Sequence, residues 1–190
     1  MKAIICPGIH DVQLTELFLK NLLIIDPKVT KQTVSTNWLI FPTERNPAYS
    51  PFHLYNWLNR SEILNDELFF IAFSAGVVSA ISAAVFLQLR GVKIRGLIAI
   101  DGWGVPLWAN FPVYRLSHDY FTHWSSAILG TGKSSFYCDP SVEHLTLWSY
   151  PENCQGWILK REKDGQEIYL KRSSALDYLQ EIIRSKSIDC

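Results

Sequence analysis

The chain of 190 residues carries no excess charge of either sign: 18 Lys and Arg balance 18 Asp and Glu. A protein that grips a phosphate backbone needs a concentrated basic face. Residues 151–190 look basic at first sight, yet they hold seven Lys/Arg against seven Asp/Glu. Nucleic acid is therefore not expected as a partner. Cysteine is sparse and scattered, at Cys6, Cys138, Cys154 and Cys190. There is no C-x-x-C and no Cys/His cluster at zinc spacing, so no metal is expected and the thiols read as reduced, in a cytoplasmic protein. The apolar run near Met1 is only four or five residues, short of the roughly 7–15 of a secretory leader. Neither G-x-G-x-x-G nor G-x-x-x-x-G-K-[ST] follows a strand, and Gly130-Thr131-Gly132-Lys133-Ser134 lacks the first glycine of a P-loop. No cofactor is expected. Repeats and low-complexity stretches are missing as well, and the length fits a single domain over 1–190.

What is present is apolar: 48% of residues are hydrophobic and 13% aromatic, with seven Trp. Residues 69–88 run for 20 positions without a charge, long enough to span a bilayer. The interior of the run argues against that. Its first part, with Glu67-Leu-Phe-Phe-Ile-Ala-Phe73, is rich in large side chains like a buried strand. Val77 to Leu89 is Ala-rich like a helix, and Ser74-Ala75-Gly76 lies between them as a turn. A parallel strand and its covering helix give this pattern without a membrane.

The rest of the chain alternates in the same way. Strands are predicted over 2–6, 34–41, 67–73 and 93–100, with helices over 12–24, 52–64 and 76–89 between them. Asp11 caps the first helix, and Gly91 ends the third. Beyond Gly104, residues 112–117 and 135–138 read as further strands. Trp157 to Leu170, centred on Lys163-Asp164-Gly165, reads as a β-hairpin, and Ser173 or Ser174 caps a last helix to about Arg184. The expected class is α/β: a three-layer sandwich with a mainly parallel sheet covered by helices on both faces, plus a C-terminal hairpin and helix. Functional residues of such sheets gather beyond the carboxyl ends of the strands. This directs attention to Pro7–Asp11, Pro42–Arg45, Ser74–Gly76 and Asp101–Trp103.

Ser74 is the strongest single signal. In Ala72-Phe73-Ser74-Ala75-Gly76 a serine with small neighbours lies between a buried strand and a helix, the setting of a nucleophile elbow. Small residues let the two backbones pass closely, and the helix start aims N–H groups and positive partial charge at the reacting centre. Alanine replaces glycine at the first motif position. An ordinary tight turn is the plainer alternative.

On these residues the chain resembles the α/β-hydrolase family, in particular its small single-domain serine hydrolases. The resemblance covers most of residues 1–150 in element order. It implies a minimal version of the fold without the two leading strands and with little lid, and a Ser, an acid and a His in that chain order. Pro112–Asp119 is similar to the strand that carries the acid, and His144–Pro151 to the segment that carries the histidine. The implied set is Ser74, Asp119 and His144, with Asp101 and Asp139 as competing acids and His118 and His123 as competing bases. The histidine takes the serine proton and returns it to the leaving group, while the acid fixes its tautomer. The oxyanion is expected on the backbone N–H groups of Ala75 and Ile9. His118 and His123 around Asp119 also raise a metal site, but their spacing suits one helical face poorly.

The segments expected to rim the site are aromatic. His10, Trp103, Trp108, His118 and Tyr120 are expected to line it; the aromatics there suit either core packing or an apolar wall for an acyl or aromatic group. The reaction expected from the resemblance is cleavage of a small-molecule carboxylic ester or thioester through an acyl-enzyme. A binding protein on the same scaffold without catalysis, and an acyltransferase using the same serine, are the alternatives.

Overall fold

β3 (Leu68–Phe73) is buried at every one of its six positions, and it lies inside an eight-stranded sheet in the order β2-β1-β3-β4-β5-β6-β7-β8. The computed structural model describes residues 1–23, 37–161 and 167–186. In chain order these form β1 (Lys2–Cys6), α1 (Val12–Leu23), β2 (Trp38–Ile40), α2 (Pro51–Arg60), β3, α3 (Ala75–Leu89), β4 (Ile94–Ile100), β5 (Val113–Ser117), α4 (Tyr120–Ala127), β6 (Ser134–Cys138) and α5 (His144–Ser149). A 3₁₀ turn (Pro151–Asn153), β7 (Gln155–Arg161), β8 (Glu167–Ser174) and α6 (Ala175–Ser185) complete the order. β1 to β6 pair in parallel, whereas β7 pairs antiparallel with both β6 and β8. The expected hairpin centre at 163–165 and residues 34–36 of the expected second strand lie outside the described residues.

Successive strand residues point to opposite faces, and the core divides accordingly. Ala3 and Ile5 join Phe18 and Leu22 of α1, Trp148 of α5 and Leu179 of α6 in one apolar cluster. Ile4 and Cys6 join Leu54 and Leu58 of α2 and Val77, Ala80 and Leu87 of α3 in the other. The 20 uncharged residues thus become β3, a turn and α3. Among the described residues no helix is long and apolar enough to cross a membrane. Cys6, Cys138 and Cys154 are free and buried, and burial pushes the Cys6 thiol above its ordinary range. Cys190 lies outside the described residues.

α4 was not anticipated. Its sequence, YFTHWSSA, is rich in aromatic residues of modest helix propensity. Its start is nevertheless well capped: the Thr122 N–H donates to Asp119 Oδ1 at 2.7 Å. Ser174 caps α6 in the same manner, accepting from the Asp177 N–H at 3.1 Å. The side chains of α6 then tie back to the start of the chain, where Gln180 Nε2 donates to the Leu22 carbonyl at 3.2 Å.

Candidate active site

The turn after β3 is tight because two backbones nearly touch. A Cβ on Gly76 would stand 2.2 Å from the Cys6 carbonyl oxygen and 2.5 Å from that of Pro7, so only glycine fits at this point of α3. Gly8 presses from the other side, where its own Cβ would lie 3.0 Å from Ser74 Cβ. Between them Ser74 adopts φ 51 and ψ −122, a left-handed conformation that costs a non-glycine residue on the order of 1–3 kcal/mol. Its N–H still donates to the Ile100 carbonyl at 2.9 Å, and its carbonyl accepts from the Val77 N–H at 3.0 Å. The serine is thereby held at the carboxyl end of the sheet, at the foot of α3.

One strand over, the chain turns in the same way. Asp101 follows β4 with φ 50, and its N–H donates to the Leu116 carbonyl at 2.8 Å. Its side chain is almost wholly enclosed, with 1% of its surface accessible. The carboxylate is fully engaged. Oδ1 accepts from the His118 N–H at 2.8 Å. Oδ2 accepts from His118 Nδ1 at 2.9 Å and from His144 Nδ1 at 2.8 Å. Burial pushes the carboxyl up, but the hydrogen bonds from His118 and His144 outweigh it and hold Asp101 below the usual carboxylate range. A charged acceptor requires both Nδ1 atoms to carry the proton, which leaves His144 Nε2 free to accept one.

His144 opens α5. Its ring stacks on Phe73, the neighbour of Ser74, with centroids 4.6 Å apart. Phe73 in turn stacks on Trp148, and Trp148 on Phe18. The loop ahead of α5 is pinned to β5, since the Val142 N–H donates to the His118 carbonyl at 3.0 Å. Ser74, Ala75, Asp101, His118 and His144 line a single cavity of about 480 Å³, whose remaining walls are Val78, Trp103, Val105, Phe121 and Thr122. Among the described residues the walls carry no Lys or Arg, and Asp101 is their only carboxylate.

The carboxylate that meets His144 is thus Asp101, one of the competing acids, where the resemblance implies Asp119. Asp119 has an extended backbone, φ −154 and ψ 172, that turns its side chain onto the start of α4. Its Oδ2 does stand 3.7 Å from His118 Nε2. Asp139 accepts instead from Trp157 Nε1 at 2.9 Å. His123 is fully buried, with its ring against Tyr120 and Tyr137.

Of the other residues expected in the wall, Trp103 and His118 are there. Tyr120 packs on Tyr137, centroids 5.2 Å apart. His10 packs on Phe73 and Trp148. Trp108 borders a different cavity, of about 720 Å³, beside the amino ends of β5 and β6. Among the described residues that larger space is lined by no imidazole, carboxylate or serine; His118, His144 and the Asp101 carboxylate gather at the smaller one. Ile9 lies in the loop beside Ser74 with a largely exposed side chain.

Asp101, His118 and His144 also bring one donor atom each to within 4.8 Å of one another, a donor set of the kind divalent metals use. Here both Nδ1 atoms sit on one carboxylate oxygen at hydrogen-bond length, and a cation between them would have to displace both protons. The arrangement is that of an acid holding two imidazoles. The sequence matches no protein-family model and no curated protein.

Proposed function

We propose that the protein is a serine hydrolase of the α/β-hydrolase kind, cleaving an uncharged carboxylic ester or thioester through an acyl-enzyme. Ser74 is the nucleophile, His144 the base and Asp101 the acid. One observation carries this reading: a serine strained at φ 51 between strand and helix shares a cavity with an imidazole whose Nδ1 is held 2.8 Å from a buried carboxylate. Strain of this kind persists where the surroundings fix it for a use.

The steps follow from the hydrogen bonds. Ser74 Oγ attacks the carbonyl carbon as His144 Nε2 takes the hydroxyl proton. The negative oxygen that forms lies against backbone N–H groups, for which Ala75 at the start of α3 and Ile9 in the adjoining loop are the candidates. Imidazolium His144, stabilised by Asp101, protonates the leaving alcohol or thiol as its bond to the carbonyl carbon breaks. Water then attacks the acyl carbon as His144 Nε2 takes its proton, and the imidazolium returns that proton to Ser74 Oγ as the bond to the serine breaks and the acid leaves. A wall of Val78, Val105, Trp103 and Phe121 suits an apolar acyl group, and a substrate with a charged acyl end would meet no counter-charge there.

A fluorophosphonate probe tests this. The folded wild type should be labelled at Ser74 and hydrolyse p-nitrophenyl esters, and Ser74→Ala should do neither. A folded wild type that resists labelling would point to a binding protein on the same scaffold. Labelling without hydrolysis, with turnover restored by an alcohol or thiol acceptor, would point to acyl transfer.

A further inference from the structure

An acid that orients one imidazole needs only that imidazole on its outer oxygen. Asp101 holds two. His118 contacts it twice, through its backbone N–H on Oδ1 and its Nδ1 on Oδ2, and His144 shares Oδ2. The two rings stand with centroids 5.9 Å apart, at 80° to each other. We propose that His118 is a positioning residue of the reaction: it clamps the Asp101 carboxylate and, as a cation, opposes protonation of His144, extending the working range of the site toward acid pH. This inference rests on the hydrolase reading of Ser74, Asp101 and His144.

The surroundings favour the charged form of His118. Asp101 faces it from the end of β4, Asp119 follows it in the chain with Oδ2 3.7 Å from Nε2, and Glu143 lies before α5. The hydrogen bond to Asp101 outweighs burial and raises the imidazole above its ordinary value. His144, from α5, also faces it and would become a like charge on protonation. A base must be neutral to act, so any proton on His144 stops the reaction. With His118 already cationic, that proton arrives against a neighbouring positive charge and beside a carboxylate whose charge is already shared. The acid limb of the activity profile therefore lies lower with His118 than without it. Two charges at this separation, at an effective dielectric between that of a protein surface and that of water, shift such a limb by about 0.5–2 pH units.

The test is the rate of Ser74 labelling by a neutral fluorophosphonate across pH 4.5–9, in full-length wild type, His118→Asn and His118→Phe. The backbone N–H bond to Oδ1 survives in both variants. Asparagine keeps a donor near Oδ2 without a titrating charge, whereas phenylalanine removes both. The expected result is an acid limb about 0.5–2 units higher in both variants, with a plateau rate that falls in both and falls further in His118→Phe than in His118→Asn. A purely structural role would lower the plateau and leave the limb in place, and that outcome overturns the proposal. Imidazole NMR titration supplies a reading free of the reaction: two inflections in each of the His118 and His144 curves support the shared carboxylate, and two independent single titrations overturn it. Absence of labelling in wild type at every pH would instead sink the hydrolase reading itself.

Discussion

Ser74 and Asp101 leave neighbouring parallel strands with nearly the same positive φ, 51 and 50. β3 pairs with β4 up to Phe73 and Ile100, and each of the two residues then donates its N–H to the next strand over, Ser74 to Ile100 and Asp101 to Leu116. The ladder thus continues one residue past each strand, into turns that disfavour side chains. In the proposed reaction these two strained residues are the nucleophile and the acid.

Strain at the nucleophile predicts a trade of function for stability. Ser74→Gly should be more stable than Ser74→Ala by about 1 kcal/mol, because glycine reaches positive φ without penalty and alanine does not. Both should be unlabelled by the probe. Urea denaturation of the two variants measures the difference, and equal stabilities would argue that the turn is relaxed.

Gly76 predicts the opposite. A Cβ there meets the backbone oxygens of Cys6 and Pro7, which have no rotamer through which to yield. Gly76→Ala should cost about 3 kcal/mol by prising α3 from β1. Labelling at Ser74 should fall even where the variant remains folded at low temperature.

The two aspartates should separate cleanly. Asp101→Asn should lower the esterase rate by about 10³-fold or more, since an amide in that place no longer enforces the His144 tautomer. Asp119→Ala should lose about 1 kcal/mol of stability with its helix cap, and change the plateau rate far less. Steady-state rates beside denaturation midpoints for both variants decide the assignment; a larger rate loss in the Asp119 variant would return the role to that residue.

Stability should also follow His118. Its folded value is raised, so its contribution is fully present below the ordinary imidazole value near 6.5 and is lost as pH rises through the raised one. Asp101, held low, stays charged over that window. The stability of wild type over His118→Asn should therefore be larger at pH 5.5 than at pH 8.5. Denaturant midpoints of both proteins at the two pH values check the sign.

Much of this was written locally in the chain. The elbow from Ala72 to Gly76 announces itself through the switch from large to small residues, and the caps at Asp11 and Ser174 through their residue types. β1, α1, β3, α3, β4, β5 and β6 begin and end within about one residue of the expected positions for the same reason. The acid was harder to read. Asp101-Gly102 looks like a plain turn, and Ser117-His118-Asp119 looks like the end of an acid-bearing strand. What separates them is long-range: the positive φ at Asp101, and the docking of Val142 onto His118, which swings His144 over β4's end. Asp119 was also the cap of a helix whose aromatic sequence hid it. The shared carboxylate is not legible in the sequence, since His118 and His144 meet on Asp101 only once β5 has paired with β4 and the helix opened by His144 has docked.

The division of the core has a consequence for the order of folding. The cluster under α2 and α3 is built wholly from residues between Ile4 and Val113. The opposite cluster draws on Ala3 and on residues as distant as Ile183, and α1 reaches α6 through Gln180 and Leu22 and α5 through Asn21 and the Ser149 carbonyl. During synthesis the first face can therefore close while the second still waits for its partners. Ser74 and Asp101 belong to the portion that closes early, and His144 to the portion that arrives late. In the proposed reaction, a nascent chain would thus carry its serine without its base until the second layer is in place.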